Sequence, residues 1–187
     1  MAYCHHLTLT ASCSLARLLL RVCRSGPAGS AIQEELADSI QPIIDQGLAD
    51  FVETDHVLTE QPGTKVYLRA TPGHTPGHAS LINESNGQKA IITGDCFHHP
   101  IQLTKLEMSS RADTDAEQAT YTRQEILEEM CDTPTMMFGT HFARPTVGVV
   151  VSRGDGAYKL DTDAPLAHVV PIPSARLREI RRVYAKL

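Results

Sequence analysis

The chain has 187 residues, 42% of them apolar and 21% charged, which suits about one domain and excludes both a disordered tail and a membrane-spanning bundle. Its formal net charge of −5 is unevenly spread: residues 1–33 hold Arg17, Arg21 and Arg24 and no acid, residues 174–187 hold five basic side chains against Glu179, and 34–173 hold 9 basic and 21 acidic ones. So acidic a middle repels phosphate backbones, and with 5% aromatics and no Trp there is little for bases to stack on, so nucleic acid is not an expected partner.

Five cysteines, at 4, 13, 23, 96 and 131, form an odd set without C-x-x-C spacing. That argues against a disulfide framework or a Cys-built zinc finger and for a reducing, cytoplasmic setting. No run approaches the ~18 apolar residues of a membrane span.

Residues 1–33 read apart from the rest. They are rich in Ser, Leu and Arg, with an apolar patch from Leu15 to Val22 broken by Arg17 and Arg21. Such a beginning reads as an organellar transit peptide, or as a disordered or misassigned extension that does not match the fold.

From Glu34 the pattern is globular, and a domain is expected over 34–173. Leu36, Ile40, Ile43 and Ile44 recur at helical spacing, with Pro42 predicting a kink or restart and Gly47 a stop. Val66, Leu68 and Ala70 alternate with Lys65, Tyr67 and Arg69, a half-buried strand running into the Gly/Pro-rich turn TPGHTPGH at 71–78. Segments 79–83 and 89–93 form a predicted hairpin around Ser85-Asn86-Gly87, because Asn-Gly tolerates the positive φ of a tight turn.

Residues 115–131 contain neither Gly nor Pro, start at a capping Asp115, and set Ala119, Ile126, Leu127 and Met130 on one side, which predicts a helix. Thr135–Phe138 is a short buried strand, and Val147–Ser152 and Ala157–Leu160 flank a second hairpin at Arg153-Gly154-Asp155-Gly156. A basic helix is expected over 174–187. Short strands alternating with helices argue for an α/β or α+β layered domain.

The chemistry-bearing residues gather at turns that follow predicted strands. His74 and His78 lie in TPGHTPGH, Asp95 in TGDCFHHP after 89–93, and His141 in GTHF after 135–138. A strand end is rigid and the turn beyond it open, so together they can hold a ligand while leaving a coordination position free. Neutral imidazoles with a carboxylate suit zinc or a similar divalent ion. Between two such ions a carboxylate such as Asp95 could bridge, and a water held there would lose a proton near neutral pH and attack a carbonyl or phosphoryl centre. His56 and His168 lack any such setting and read as surface residues, and His5 and His6 beside Cys4 form a weaker metal-binding alternative.

The ordered set TPGHTPGH, GDCFHHP and GTHF resembles the second half of the metallo-β-lactamase-fold hydrolases, in the lactonase-like and methyl-parathion-hydrolase-like branch. The resemblance covers roughly residues 34–160. It implies the C-terminal half of an αβ/βα sandwich, with His74, Asp95 and His141 as metal ligands, Asp95 bridging two zinc ions in a complete member, and His78 in support behind them. His98 stands where lactonase-like members place a Tyr that polarises substrate.

The family's leading motif, H-x-H-x-D-H, does not occur in the 187 residues. The resemblance therefore implies a truncated or mis-started hydrolase that binds zinc weakly. It would hydrolyse a lactone, ester, thioester or phosphotriester poorly, or serve as an inactive scaffold or interaction protein. One sheet face would lack its cover and could pair two copies of the chain.

Overall fold

A computed structural model of the chain describes residues 36–163 and the segments Leu7–Thr8 and Leu18–Leu20. The rest of the expected N-terminal segment, the basic helix at 174–187 and His168 lie outside the described residues. A small sheet takes β1 (Leu7–Thr8), β2 (Leu18–Leu20) and β3 (Ala49–Asp50) in that order, with β1 antiparallel and β3 parallel to β2. Before β3, a wide π-type turn at Leu36–Ile40 gives way to a short helix α1 (Gln41–Asp45) that carries Pro42 in its first turn. Pro42 therefore marks a restart, where its missing N–H costs nothing. Gly47, at φ +67°, closes the segment.

The main sheet has seven strands in the order β10-β9-β8-β7-β6-β5-β4. Its first four in sequence are β4 (Val57–Gln61), β5 (Thr64–Ala70), β6 (Ala79–Ser85) and β7 (Gln88–Ile92), each paired antiparallel with the next of the four. Asn86 and Gly87, at φ +49° and +79°, supply the two left-handed residues of the β6–β7 turn. After β7 the chain crosses over through α2 (Ile101–Thr104) and α3 (Ala116–Met130) before returning as β8 (Met136–Phe138), parallel to β7. The hairpin of β9 (Val147–Ser152) and β10 (Tyr158–Asp161) completes the sheet.

This topology places the site. Because β5 and β7 are both antiparallel to β6, and β8 is parallel to β7, strands β5, β7 and β8 run the same way. Their C-terminal ends share one edge, so the turns that follow them, 71–78, 93–98 and 139–141, meet there. Ligand sites at the carboxyl ends of co-directional strands follow from the same geometry in open α/β sheets.

One face of the sheet carries the core. The direct cross-strand partners Ile82, Ile91 and Met137 form a buried row with Val150 of β9. Ile126, Leu127 and Met130 of α3, together with Phe97, Leu103 and Phe142, pack against it. The opposite face carries the row Leu68, Leu81, Ile92, Phe138 and Val147. Only Leu68 of that row is buried, and Ile92 is 40% exposed.

α3 starts where its sequence says it should, with the Asp115 side chain accepting from Gln118 N–H at 2.9 Å. Its apolar stripe of Ala119, Ile126, Leu127 and Met130 is buried, and Thr122 and Arg123 are buried with it. No helix among the described residues is long and apolar enough to cross a membrane.

Candidate metal centre

His74 owes its place to the docking of the 71–78 turn on the start of α3. The N–H groups of Asp115 and Thr114 donate to the carbonyls of Gly73 and His74, each at 3.0 Å, and the Thr122 hydroxyl donates to the Pro72 carbonyl at 2.7 Å. Gly73 sits at φ +129°, and a Cβ there would collide with the Ala119 backbone. Gly73→Ala should therefore lift the turn from the helix and cost about 2–4 kcal/mol in denaturant unfolding. Gly154→Ala, strained in φ but in open space, should cost about 1 kcal/mol.

His78 is turned away from the opening into a buried relay. Its Nε2 accepts from Asp95 N–H at 3.0 Å, so the ring proton sits on Nδ1, which faces the Thr71 hydroxyl at 2.7 Å and the Thr71 carbonyl at 3.1 Å. The relay continues from Thr71 to the Ser80 hydroxyl at 3.1 Å, and the Ser80 hydroxyl donates to the Thr93 carbonyl at 3.1 Å. With both nitrogens engaged, His78 positions the Asp95 turn and offers no lone pair to an ion. Gly94 makes room for it: the residue takes φ +56°, and a Cβ would stand 2.8 Å from His78 Nε2.

Asp95, on the short 3-10 turn Gly94–Cys96 after β7, presents one oxygen to each of two imidazoles. Its Oδ1 lies 2.5 Å from His141 Nε2 and its Oδ2 lies 3.6 Å from His74 Nε2. The His141 side chain is 44% exposed and opens the group to solvent. The His98 ring lies 5.0 Å, centroid to centroid, from both the His74 and His141 rings and stacks on the latter. Its backbone N–H is pinned by Gln102 Oε1 at 2.7 Å. Burial, then the neighbouring His74, lowers the His98 pKa below the usual histidine value, which keeps the ring neutral and able to donate a lone pair.

Two further residues, Asp113 and Arg123, were not singled out by motif. Asp113 Oδ1 accepts from His74 Nδ1 at 3.0 Å, and Asp113 Oδ2 accepts from Ser110 N–H at 2.9 Å and faces Arg123 Nη1 at 3.6 Å. Burial of this carboxylate, 1% exposed, works against its charge. The hydrogen bonds from His74 and Ser110 and the Arg123 charge outweigh that and hold its pKa below the usual carboxylate range. An ionised Asp113 fixes the proton of His74 on Nδ1 and aims Nε2 at Asp95, as carboxylates behind metal-binding histidines do. Arg123 is fully buried, and its Nη2 also donates to the Leu106 carbonyl at 3.0 Å and the Thr120 hydroxyl at 3.1 Å. A clue lay in the sequence: position 123 falls in the apolar stripe of α3, where a charge needs a partner.

The donor set fits a divalent cation. His74 Nε2 and Asp95 Oδ2 face each other at 3.6 Å, a spacing across which both could hold one cation. Among the described residues, two three-residue groups bring one donor atom from each member within 4.8 Å of the others: Asp95, His98 and His141, and His74, His98 and Asp113. His56 is exposed and stands outside both groups.

No family model and no curated protein matches the chain. Solved structures do. A hydrolase of the β-lactamase superfamily, AbOPH, aligns at TM-score 0.58 with 23% identity, over 68% of this chain and 42% of its own. AidC, a dizinc quorum-quenching lactonase, aligns at TM-score 0.53 with 20% identity, over 67% of this chain and 46% of its own. The chain carries part of the metallo-β-lactamase fold. It spans a little under half the length of these two structures. The seven-stranded sheet with α3 on one face is that part of the metallo-β-lactamase fold, and the metal-ligand candidates stand on its edge.

Proposed function

We propose that the chain is a metal-dependent hydrolase of the metallo-β-lactamase type, with His74, Asp95 and His141 holding the metal and a lactone as the leading substrate class among lactones, esters, thioesters and phosphotriesters. The observation that carries this reading is the placement of the two Asp95 oxygens, one against His74 and one against His141. That is the arrangement expected of a carboxylate shared between two cation positions. The fold shared with AbOPH, a hydrolase, and with AidC, a dizinc lactonase seen with its product N-hexanoyl homoserine, supports the hydrolase reading and makes a lactone the first substrate to try.

A divalent ion, zinc by the chemistry of the donors, would supply Lewis acidity at this edge, activating a water and polarising a substrate oxygen. The residues of the chain do the rest. Asp113 holds the His74 proton on Nδ1, His78 fixes the backbone N–H of Asp95, and Asp95 aligns the two imidazoles. His98 faces the same space as the fourth group of the centre. The exposed His141 side leaves room for a small-molecule substrate.

Activity is low in this reading, because the donors leave each side of Asp95 short of the three protein ligands a catalytic zinc takes, and H-x-H-x-D-H does not occur in the 187 residues. The test is a panel of an N-acyl homoserine lactone, an aryl ester, a thioester and a phosphotriester, run on the zinc-loaded chain. Slow hydrolysis of one class, abolished by a chelator and by Asp95→Asn, is expected. Zinc-loaded protein that turns over none of them above the buffer rate would overturn the hydrolase and leave an inactive scaffold.

A further inference from the structure

His98 has a position that the sequence does not settle. Its side chain could polarise a substrate oxygen, as the resemblance implies, or bind the metal. Three observations bear on the choice. First, one donor atom each from Asp95, His98 and His141 lie within 4.8 Å of one another, whereas the donors of a tetrahedral zinc site stand about 3.3 Å apart, given zinc–nitrogen bonds of about 2.0 Å. The gap is small, and His141, exposed to solvent and bonded through Nε2 to Asp95 Oδ1, would close it by exchanging that bond for one to the ion.

Second, His98 Nδ1 is buried and has no hydrogen-bond partner among the described residues. A buried imidazole nitrogen left unpaired is costly, and the strain is relieved if the ring is recruited to an ion. Third, the competing group of three does not have its donors to spare. Asp113 is 1% exposed and has both oxygens engaged, Oδ1 by His74 and Oδ2 by Ser110 N–H and Arg123.

Resting on the hydrolase reading above, we infer that His98 is a metal ligand in this chain, completing with Asp95 and His141 a three-donor site for one zinc-type ion. His98 raises the donor count on the Oδ1 side of Asp95 from two to three, the number a catalytic zinc site takes from protein before it adds water. The site is then built wholly from residues after β7 and β8, on the turn 95–98 and the turn 139–141. His98 itself is held by its backbone, through Gln102, rather than by its ring, so the ring can turn toward an ion without breaking the fold.

The test is a zinc titration in competition with a chromophoric chelator, paired with the visible spectrum of the cobalt(II)-loaded chain. It uses the wild type, His98→Ala, His98→Gln and His141→Ala, with His56→Ala as an exposed control. The wild type should take one zinc. His98→Ala and His141→Ala should each weaken it by more than about 100-fold, beyond what loss of an outer-shell partner costs, and should reduce the cobalt bands alike. His98→Gln, which keeps bulk but not the imidazole, should behave as His98→Ala.

If the His98 variants bind zinc as the wild type does while His141→Ala does not, His98 is no ligand and the inference falls with the hydrolase reading intact. If the wild type binds no zinc, the hydrolase reading falls first and takes the inference with it.

Discussion

Asp95→Ala should weaken zinc binding by more than about 100-fold, a greater loss than removal of any outer-shell group is expected to cause. Among the described residues Asp95 is the one whose two oxygens meet both His74 and His141, so its removal takes donors from both sides of the centre. The metal-free fold should hardly notice. The Asp95 side chain is partly open to solvent, and the bond that places its turn runs from its backbone N–H to His78, which alanine keeps. Measured by chelator competition and by thermal melting of the metal-free chain, the variant should lose the zinc-induced rise in melting temperature while keeping the unliganded melting temperature. Unchanged zinc affinity would move the metal away from this edge.

Arg123→Leu should be the most destabilising single change. It strands the buried Asp113 carboxylate and leaves the Leu106 carbonyl and the Thr120 hydroxyl without their donor. Removing one partner of a buried ion pair costs about 3–5 kcal/mol, which for a chain of this size lowers the melting temperature by about 10 °C. The damage should reach the metal, because Asp113 holds the Nδ1 proton of His74. Zinc affinity should fall by about 10- to 100-fold. Adding Asp113→Asn to Arg123→Leu removes the uncompensated charge and should recover part of the stability but not the zinc affinity. A loss under about 1 kcal/mol for Arg123→Leu would mean that the pair is solvated and the orientation of His74 is set elsewhere.

The parts of the fold that could be read in advance were those ruled by local chemistry. The Asn86-Gly87 turn, the Asp115 cap and the apolar stripe of α3 each follow from a few adjacent residues. The alternation of Val66, Leu68 and Ala70 likewise gave β5. The ligand candidates were legible as polar residues set just beyond strands. That His74, Asp95 and His141 share an edge required the directions of β5, β7 and β8, a matter of pairing between segments far apart in sequence.

Asp113 and Arg123 escaped for the same reason. Asp113 lies in the polar stretch RADTD, where nothing local marks a single carboxylate for burial, and its partner His74 is 39 residues away. Arg123 was visible as a charge in an apolar stripe, but its counter-ion was not. The unpaired nitrogen of His98 likewise shows only once its neighbours are in place.

Zinc should sit at the edge shared by β5, β7 and β8. The N-terminal Cys4-His5-His6 cluster offers a rival address that would bring sulfur to the ion. X-ray absorption at the zinc edge, on the chain loaded with one equivalent, separates the two. Zinc at this edge should show a first shell of nitrogen and oxygen alone with outer-shell scattering from at least two imidazoles, lost in Asp95→Ala. Sulfur in the first shell, or a spectrum that Asp95→Ala leaves unchanged, would contradict it.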